Sequence, residues 1–222
     1  LDGVMTEVLY HQGRLRVSGA EAIEIARSLD GARVSRSGRV ELPAFAYRNL
    51  VVALSRAGVE FVDRARAYAE VSFRQIEPRR PFEHQAAARD AWRDAGGRGV
   101  VVLPTGAGKT HVAILAIEEV GRSALVVVPT LDLLDQWSEA LGTAFGVAVG
   151  RIGGGVRRIE ELTVITYASA CRRAGEIGNR FGLVVFDECH HLPGGGDWPL
   201  FTSPSPRDAT LARMPSSGIK KK

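Results

Sequence analysis

Lys109 is the only lysine ahead of the C-terminal Lys220, Lys221 and Lys222; every other basic side chain apart from the histidines is arginine. It lies in PTGAGKT, Pro104 to Thr110, between the β-branched run GVVVL and the helix-forming KTHVAILAIEEVG. A buried strand, a glycine turn and a helix in that order are what a phosphate-binding loop requires. Glycines let backbone N–H groups turn inward around phosphate oxygens, and the helix start adds its positive dipole end at the same point. Arginine is a wide planar fork, whereas such a loop admits a compact ammonium. Leu103 stands where the usual form of the loop has its first glycine, and the alternative to a phosphate loop is an ordinary glycine turn.

A second stretch, FGLVVFDECHH, ends an apolar run with Asp187 and Glu188. Nucleotide hydrolysis needs one carboxylate near a divalent cation and another to orient or deprotonate the attacking water. Asp187 is expected in the metal role and Glu188 in the water role. The neighbouring Cys189, His190 and His191 suggest a metal site as an alternative. Three adjacent residues point in different directions, so they make a poor metal cluster.

These residues need a scaffold, and three zones of the chain separate by pattern. From Leu1 to about Glu77 the reading is a small α+β domain. VLYHQGRLRV reads as a hairpin turning at Gln12-Gly13, GAEAIEIARSL as a helix, and SRSGRVEL as a second turn at Ser37-Gly38. Pro43 opens a helix that Gly58 ends, and IEPRRP reads as a linker. From residue 78 to 197 helices alternate with buried strands: helix HQAAARDAW, strand GVVVL, the helix after Lys109, strand ALVVVP, helix LDLLDQWSEALG, and strands LTVIT and FGLVVFD. That alternation means a parallel, doubly wound sheet. Leu131, Leu134, Trp137 and Leu141 share one helical face behind Thr130, an N-cap residue. Trp92 and Trp137 read as core.

Composition sets the outer bounds. The 222 residues allow one large domain or two small ones, and 45% hydrophobic with 24% charged content is ordinary for a globular protein. A formal charge of +4 permits a nucleic-acid partner without requiring one. Two isolated cysteines, Cys171 and Cys189, suggest no disulfide framework. No apolar run approaches the roughly 20 residues of a membrane span. No basic-then-apolar leader opens the sequence, so a cytoplasmic location without membrane association is expected.

With both motifs in place the chain resembles superfamily 2 helicases, and within them the XPB-type DNA helicases, from its N-terminal zone to about Pro193. RRPFEHQAAARDAW is similar to the family's adenine-reading segment, PTGAGKT to its motif I, and VVVPTLDLLDQW to motif Ia. VGRIGGG is similar to the glycine segment that follows, TVITYASA to motif Ic, and DECHH to motif II in its DExH form. The resemblance implies a RecA-like P-loop NTPase lobe, ATP and Mg²⁺ as cofactors, and DNA as partner through its backbone. It implies adenine contact by Gln85, nucleotide binding by Thr105, Gly106, Ala107, Gly108, Lys109 and Thr110, and Mg²⁺ shared by Thr110 and Asp187. Pro129, Thr130, Thr166 and Gly153, Gly154 and Gly155 would line the DNA backbone track. Arg151, Arg157 and Arg158 could add charge there, or simply be solvated. His190 and His191 would couple the nucleotide site to the rest of the motor, and a nuclease or repair partner is compatible with the family.

The resemblance also implies a second lobe supplying arginines, and this sequence carries neither that lobe nor the S/T-A-T segment expected after DECHHLP. Residues 198–222 match neither earlier zone. LFTSPSPRD and RMPSS resemble the translation of a transposon-type sequencing-library adapter, with Lys220 to Lys222 as a poly-A read; the alternative is a disordered Ser/Pro linker. The expected function is therefore the N-terminal part of an ATP-dependent DNA helicase or translocase acting in repair, near-inactive alone. Another DExH motor, such as a restriction translocase subunit or an RNA helicase, and a non-catalytic nucleic-acid-binding module are the alternatives.

Overall fold

The computed structural model describes residues 5–35, 39–104, 106–189 and the backbone of 209–213. The chain divides into two units: residues up to Tyr68 together with Cys171–Arg180, and Ala69–Ala170 together with the chain from Phe181.

The first unit holds a five-stranded sheet in the order β3-β4-β2-β1-β5. Its strands are β1 (Glu7–His11), β2 (Arg14–Val17), β3 (Arg33–Val34), β4 (Val40–Pro43) and β5 (Val62–Arg64). The turn expected at Gln12-Gly13 closes β1 on β2, and both residues take positive φ, 49° and 79°, as a two-residue hairpin requires. Helices α1 (Ala20–Arg27) and α2 (Tyr47–Arg56) bury Ala22, Ala26, Leu50 and Leu54 against Val8 and Leu15 of the sheet. A 3₁₀ turn, Ala44–Ala46, precedes α2, and Gly58 follows it at φ 72°. The turn expected at Ser37-Gly38 lies outside the described residues. Within this unit the Tyr10 hydroxyl donates to the Ala174 carbonyl at 2.8 Å and the Asn179 amide to the Ala65 carbonyl at 3.0 Å.

The second unit is built on a seven-stranded sheet ordered β6-β12-β11-β7-β10-β8-β9. Its strands are β6 (Arg98–Val101), β7 (Ala124–Val128), β8 (Gly150–Gly153), β9 (Val156–Arg158), β10 (Leu162–Thr166), β11 (Leu183–Phe186) and β12 (Ala209–Arg213). Every pairing is parallel except the β8–β9 hairpin. The helices are α3 (Glu83–Asp94), α4 (Lys109–Val120), α5 (Leu131–Phe145) and α6 (Tyr167–Ile177), whose second half belongs to the first unit. Strands β7, β10 and β11 are buried at every residue, which is why they read as unbroken apolar runs. Each fully buried valine, leucine or isoleucine among them contributes about 1.5–3 kcal/mol of transfer free energy. Helix α4 is likewise buried continuously from Val112 to Ile117 and is closed by Gly121 at φ 61°.

The structure departs from the sequence reading at four places. GVVVL is an edge strand rather than a buried one: β6 pairs only with β12, and Val100 is 54% exposed while Val101 faces the core. Helix α5 runs on to Phe145, and Leu131, expected on its buried face, is 49% exposed. The segment before IEPRRP belongs to the second unit, so the boundary falls after Tyr68 rather than after Glu77. Its backbone bonds to Gly121, Ser123 and Ala144, and Phe73 packs on Phe145 in the core. Residues 198–222 are expected from the sequence to stand apart from the fold, yet Ala209–Arg213 fill the slot between β6 and β11, where parallel hydrogen bonding on both sides satisfies their backbone groups. The rest of 198–222 lies outside the described residues. Among the described residues no helix is long and apolar enough to cross a membrane.

Candidate active site

Because β6, β12, β11, β7, β10 and β8 run parallel, their C-terminal ends lie along one rim of the sheet. Ligands of open α/β sheets bind outside such a rim. The phosphate-type loop follows β6, Pro129 and Thr130 follow β7, Thr166 ends β10, Gly153 ends β8, and Asp187 follows β11. Register places Ile152, Ile165, Val127 and Phe186 in one row across the sheet, so Gly153, Thr166 and Asp187 share the next. Residues scattered through the sequence thus reach a single edge.

The loop after β6 is shaped by two left-handed glycines, Gly106 at φ 76° and Gly108 at φ 75°. Gly108 is also the N-cap of α4, so Lys109 and Thr110 open that helix, and their N–H groups lie in the turn that has no intrahelical acceptors. Lys109 is 8% exposed, an unusual depth for a lysine and one that fits an ammonium held within the loop. Thr105 lies outside the described residues. The loop is braced from behind by α3. Gln85, 4% exposed, accepts from the Phe82 amide at 3.1 Å and donates from Nε2 to the Ala107 carbonyl at 2.9 Å. Nε2 of His84 lies 3.0 Å from the same carbonyl and so must be the protonated, donating nitrogen. A Cβ on Gly108 would stand 2.3 Å from Gln85 Nε2, so only glycine leaves room for the brace. Arg93 and Glu119 pair between α3 and α4, with Nη2 to Oε2 at 2.8 Å.

At the end of β11, Asp187 is fully buried. Its amide donates to Val127 at 2.9 Å, extending the ladder. Its Oδ2 accepts from the indole N–H of Trp137 at 2.6 Å, and its carbonyl accepts from the Tyr167 hydroxyl at 2.7 Å. Burial first, and then the charges of Cys189, Asp187 and Glu188, push the Tyr167 hydroxyl well above the usual tyrosine range, so it stays a donor. Burial, with Glu188 and Asp187 adding to it, likewise raises the Cys189 thiol, which therefore stays protonated at neutral pH and is a poor ligand or nucleophile. Glu188 is half-buried with φ 51°, a left-handed conformation that costs a non-glycine residue of order 1 kcal/mol. Such strain collects where a side chain must be aimed. His190 and His191 lie outside the described residues.

The residues expected on a nucleic-acid track divide. Thr130 is exposed and caps α5 by accepting from the Leu133 amide at 3.3 Å, with Pro129 half-buried beside it. Gly154 and Gly155 form the tip of the β8–β9 hairpin, both at positive φ and both exposed. Gly153 is buried: a Cβ there would meet Thr166, Leu134 and Leu131 at 2.8–3.2 Å. Thr166 is buried too, its hydroxyl donating to Ser169 Oγ at 3.0 Å and accepting from the Ser169 amide, so it caps α6 instead of facing solvent. Arg151 pairs with Asp135, and Arg158 with Glu160 at 2.8 Å, which offsets part of the positive charge.

Sequence reasoning missed a cavity of about 820 Å³ beside the loop, lined by Arg79, Gly108, Thr110, His111, Gln136 and Glu139 among others. His111 follows the GKT triplet directly; its Nε2 is buried with no partner among the described residues. Burial, reinforced by the charge of Arg79, holds its imidazole below the usual histidine range.

A family model described as the res subunit of type III restriction enzymes matches residues 78–203, more than half of the chain. The chain belongs to that family. Within it the chain is similar to helicases of the XPB type. It is 37% identical over 166 residues to the DNA 3'-5' translocase XPB2 of Sulfurisphaera tokodaii, covering 63% of this chain and 38% of that protein. It is 34% identical over 122 residues to the DNA 3'-5' helicase XPB of Mycobacterium tuberculosis, covering 50% of this chain and 22% of that one. The chain thus spans less than two-fifths of the length of either relative. Among solved structures the UvsW helicase of bacteriophage T4 is similar in fold, with a TM-score of 0.54 at 16% identity over 96% of this chain and 93% of that one.

Proposed function

We propose that the chain is the nucleotide-binding lobe, with its preceding small domain, of an ATP-dependent DNA helicase or translocase. The observation that carries this reading is the shared rim: Lys109 at the head of α4 and Asp187 beyond β11 lie at the C-terminal edge of one parallel sheet. Lys109, Thr110 and the loop amides hold the β- and γ-phosphates of ATP. Gln85, besides bracing the loop, contacts the adenine. Glu188 orients and deprotonates the attacking water.

The residues present fit Mg²⁺. Among the described residues no three of His, Cys, Asp and Glu cluster to hold a metal, and the donors proposed here are one carboxylate, Asp187, and one hydroxyl, Thr110. That sparse oxygen set suits Mg²⁺, which keeps several waters and takes its remaining ligands from phosphates. Held by Asp187 and Thr110, the ion would supply charge neutralisation at the nucleotide phosphates.

DNA is held by its backbone along the same rim, at Pro129, Thr130 and the Gly154-Gly155 tip, with hydroxyls and amides that read no base. The relatives named for DNA 3'-5' movement support DNA over RNA, and a further relative named as a subunit of a transcription and DNA repair factor supports a role in repair; a nuclease or other repair partner belongs to this proposal. The test is fluorescence-anisotropy titration of the 222-residue chain with labelled DNA and RNA of one sequence. We expect binding that weakens steeply with salt and is indifferent to base sequence. A clear preference for RNA, or salt-independent sequence-specific binding, would overturn the DNA-motor reading.

A further inference from the structure

We propose that Trp137 and Tyr167 are positioning residues that orient the Asp187 carboxylate toward a divalent cation. The proposal rests on the nucleotide-motor reading above and names two side chains that reading does not use. Asp187 is fixed by three hydrogen bonds from three elements: Val127 of β7 on its amide, Tyr167 of α6 on its carbonyl, and Trp137 of α5 on its Oδ2. The first two set the backbone. The third sets the plane of the carboxylate, and with it the direction in which Oδ1 presents its lone pairs.

Both rings lie in the core, where phenylalanine would supply most of the apolar area. What tryptophan and tyrosine add is a donor, and a buried indole or phenol normally finds a partner. Here both find it on the same residue. The N–H to carboxylate bond is charge-assisted and about twice as strong as a neutral one. Partners of this kind behind a ligating carboxylate typically change metal affinity by about 10–100-fold when removed.

The two donors also lead back to the rim. Trp137 sits on α5, the helix capped by Thr130, and Tyr167 directly follows Thr166. Helix α5 carries Thr130 and Trp137 on one rod, about 10 Å apart along its axis. Whatever Thr130 grips is thus joined to the Asp187 carboxylate through one helix and one hydrogen bond.

The test uses Trp137→Phe and Tyr167→Phe in the 222-residue chain, with a fluorescent non-hydrolysable ATP analogue titrated in Mg²⁺ and in EDTA. We expect each variant to keep its EDTA affinity while the gain on adding Mg²⁺ falls about 10-fold. An unchanged Mg²⁺ gain in both variants overturns the proposal, as does an equal loss with and without the metal, which marks a merely structural role. Tyr167→Phe removes a single oxygen and keeps the question answerable if Trp137→Phe unfolds. A separate readout needs no nucleotide: the indole N–H resonance of Trp137, identified by its loss in Trp137→Phe, should move in Asp187→Asn. A resonance that does not move overturns the hydrogen bond itself. A parent chain that binds no nucleotide overturns the motor reading and this role with it, while the indole response still decides whether the bond exists.

Discussion

The two halves of the site are built by opposite strategies. The phosphate-binding groups of the loop after β6 are local, since Gly106, Gly108, Lys109 and Thr110 lie within five residues; only its brace, Gln85 and His84 of α3, comes from 22 and 23 residues earlier. The end of β11 is assembled from a distance, with Trp137 lying 50 residues away in sequence and Tyr167 20. A loop whose chemistry is its own backbone can be recognised from a short string. A carboxylate whose aim is set by other elements cannot.

Substituting the two loop glycines sharpens the first half. Gly108→Ala combines a left-handed penalty of about 1–2 kcal/mol with a Cβ at 2.3 Å from Gln85 Nε2, whereas Gly106→Ala meets nothing within 4 Å. Gly108→Ala should therefore lose nucleotide binding by more than about tenfold and Gly106→Ala by clearly less, as measured by analogue titration. Equal losses would mean that the brace does not shape the loop.

The brace itself comes next. Gln85→Leu keeps the volume and leaves the Phe82 amide and Ala107 carbonyl without the carboxamide, at an expected cost of about 1–3 kcal/mol in urea unfolding. At the strand end the expectation reverses in sign. Glu188→Gly should raise stability by of order 1 kcal/mol by releasing the left-handed strain, while abolishing any hydrolysis the parent shows. A destabilised Glu188→Gly would break the contrast, because the glutamate would then be held by contacts rather than against strain.

The smallest effect separates the cavity beside the loop from the rest. His111 has a folded-state affinity for protons below its unfolded one, since burial and Arg79 disfavour the imidazolium. The unfolded chain therefore takes up more protons, and stability contributed at neutral pH is lost as pH falls below the ordinary histidine value of 6.5 toward the depressed folded one. Melting temperature should drop over that window in the parent and drop less in His111→Gln.

Much of this was legible in the sequence where local chemistry decides. The Gln12-Gly13 hairpin, the buried runs of β7, β10 and β11, the helix start at Lys109 and its stop at Gly121 all follow from period, propensity and turn residues. What was hidden depends on which element lies next to which. The edge position of β6 exposes Val100, a valine that would read the same in a central strand. Gly153-Gly154-Gly155 read as one unit, yet packing against Leu134 and Thr166 explains the first and hairpin dihedrals the other two. Thr166 has the residue type expected of a backbone contact, and only the structure turns its hydroxyl inward to cap α6. Trp137 reads as core and is buried; that its indole also donates to Asp187 appears only when the two are placed side by side.

The most direct test of the account is hydrogen exchange of the 222-residue chain with and without a Mg²⁺-bound non-hydrolysable ATP analogue. Added protection is expected in two places far apart in sequence, residues 106–111 and 185–188, with the 7–17 hairpin unchanged. Protection of the first stretch alone would contradict the shared rim, and protection of neither would remove the nucleotide site.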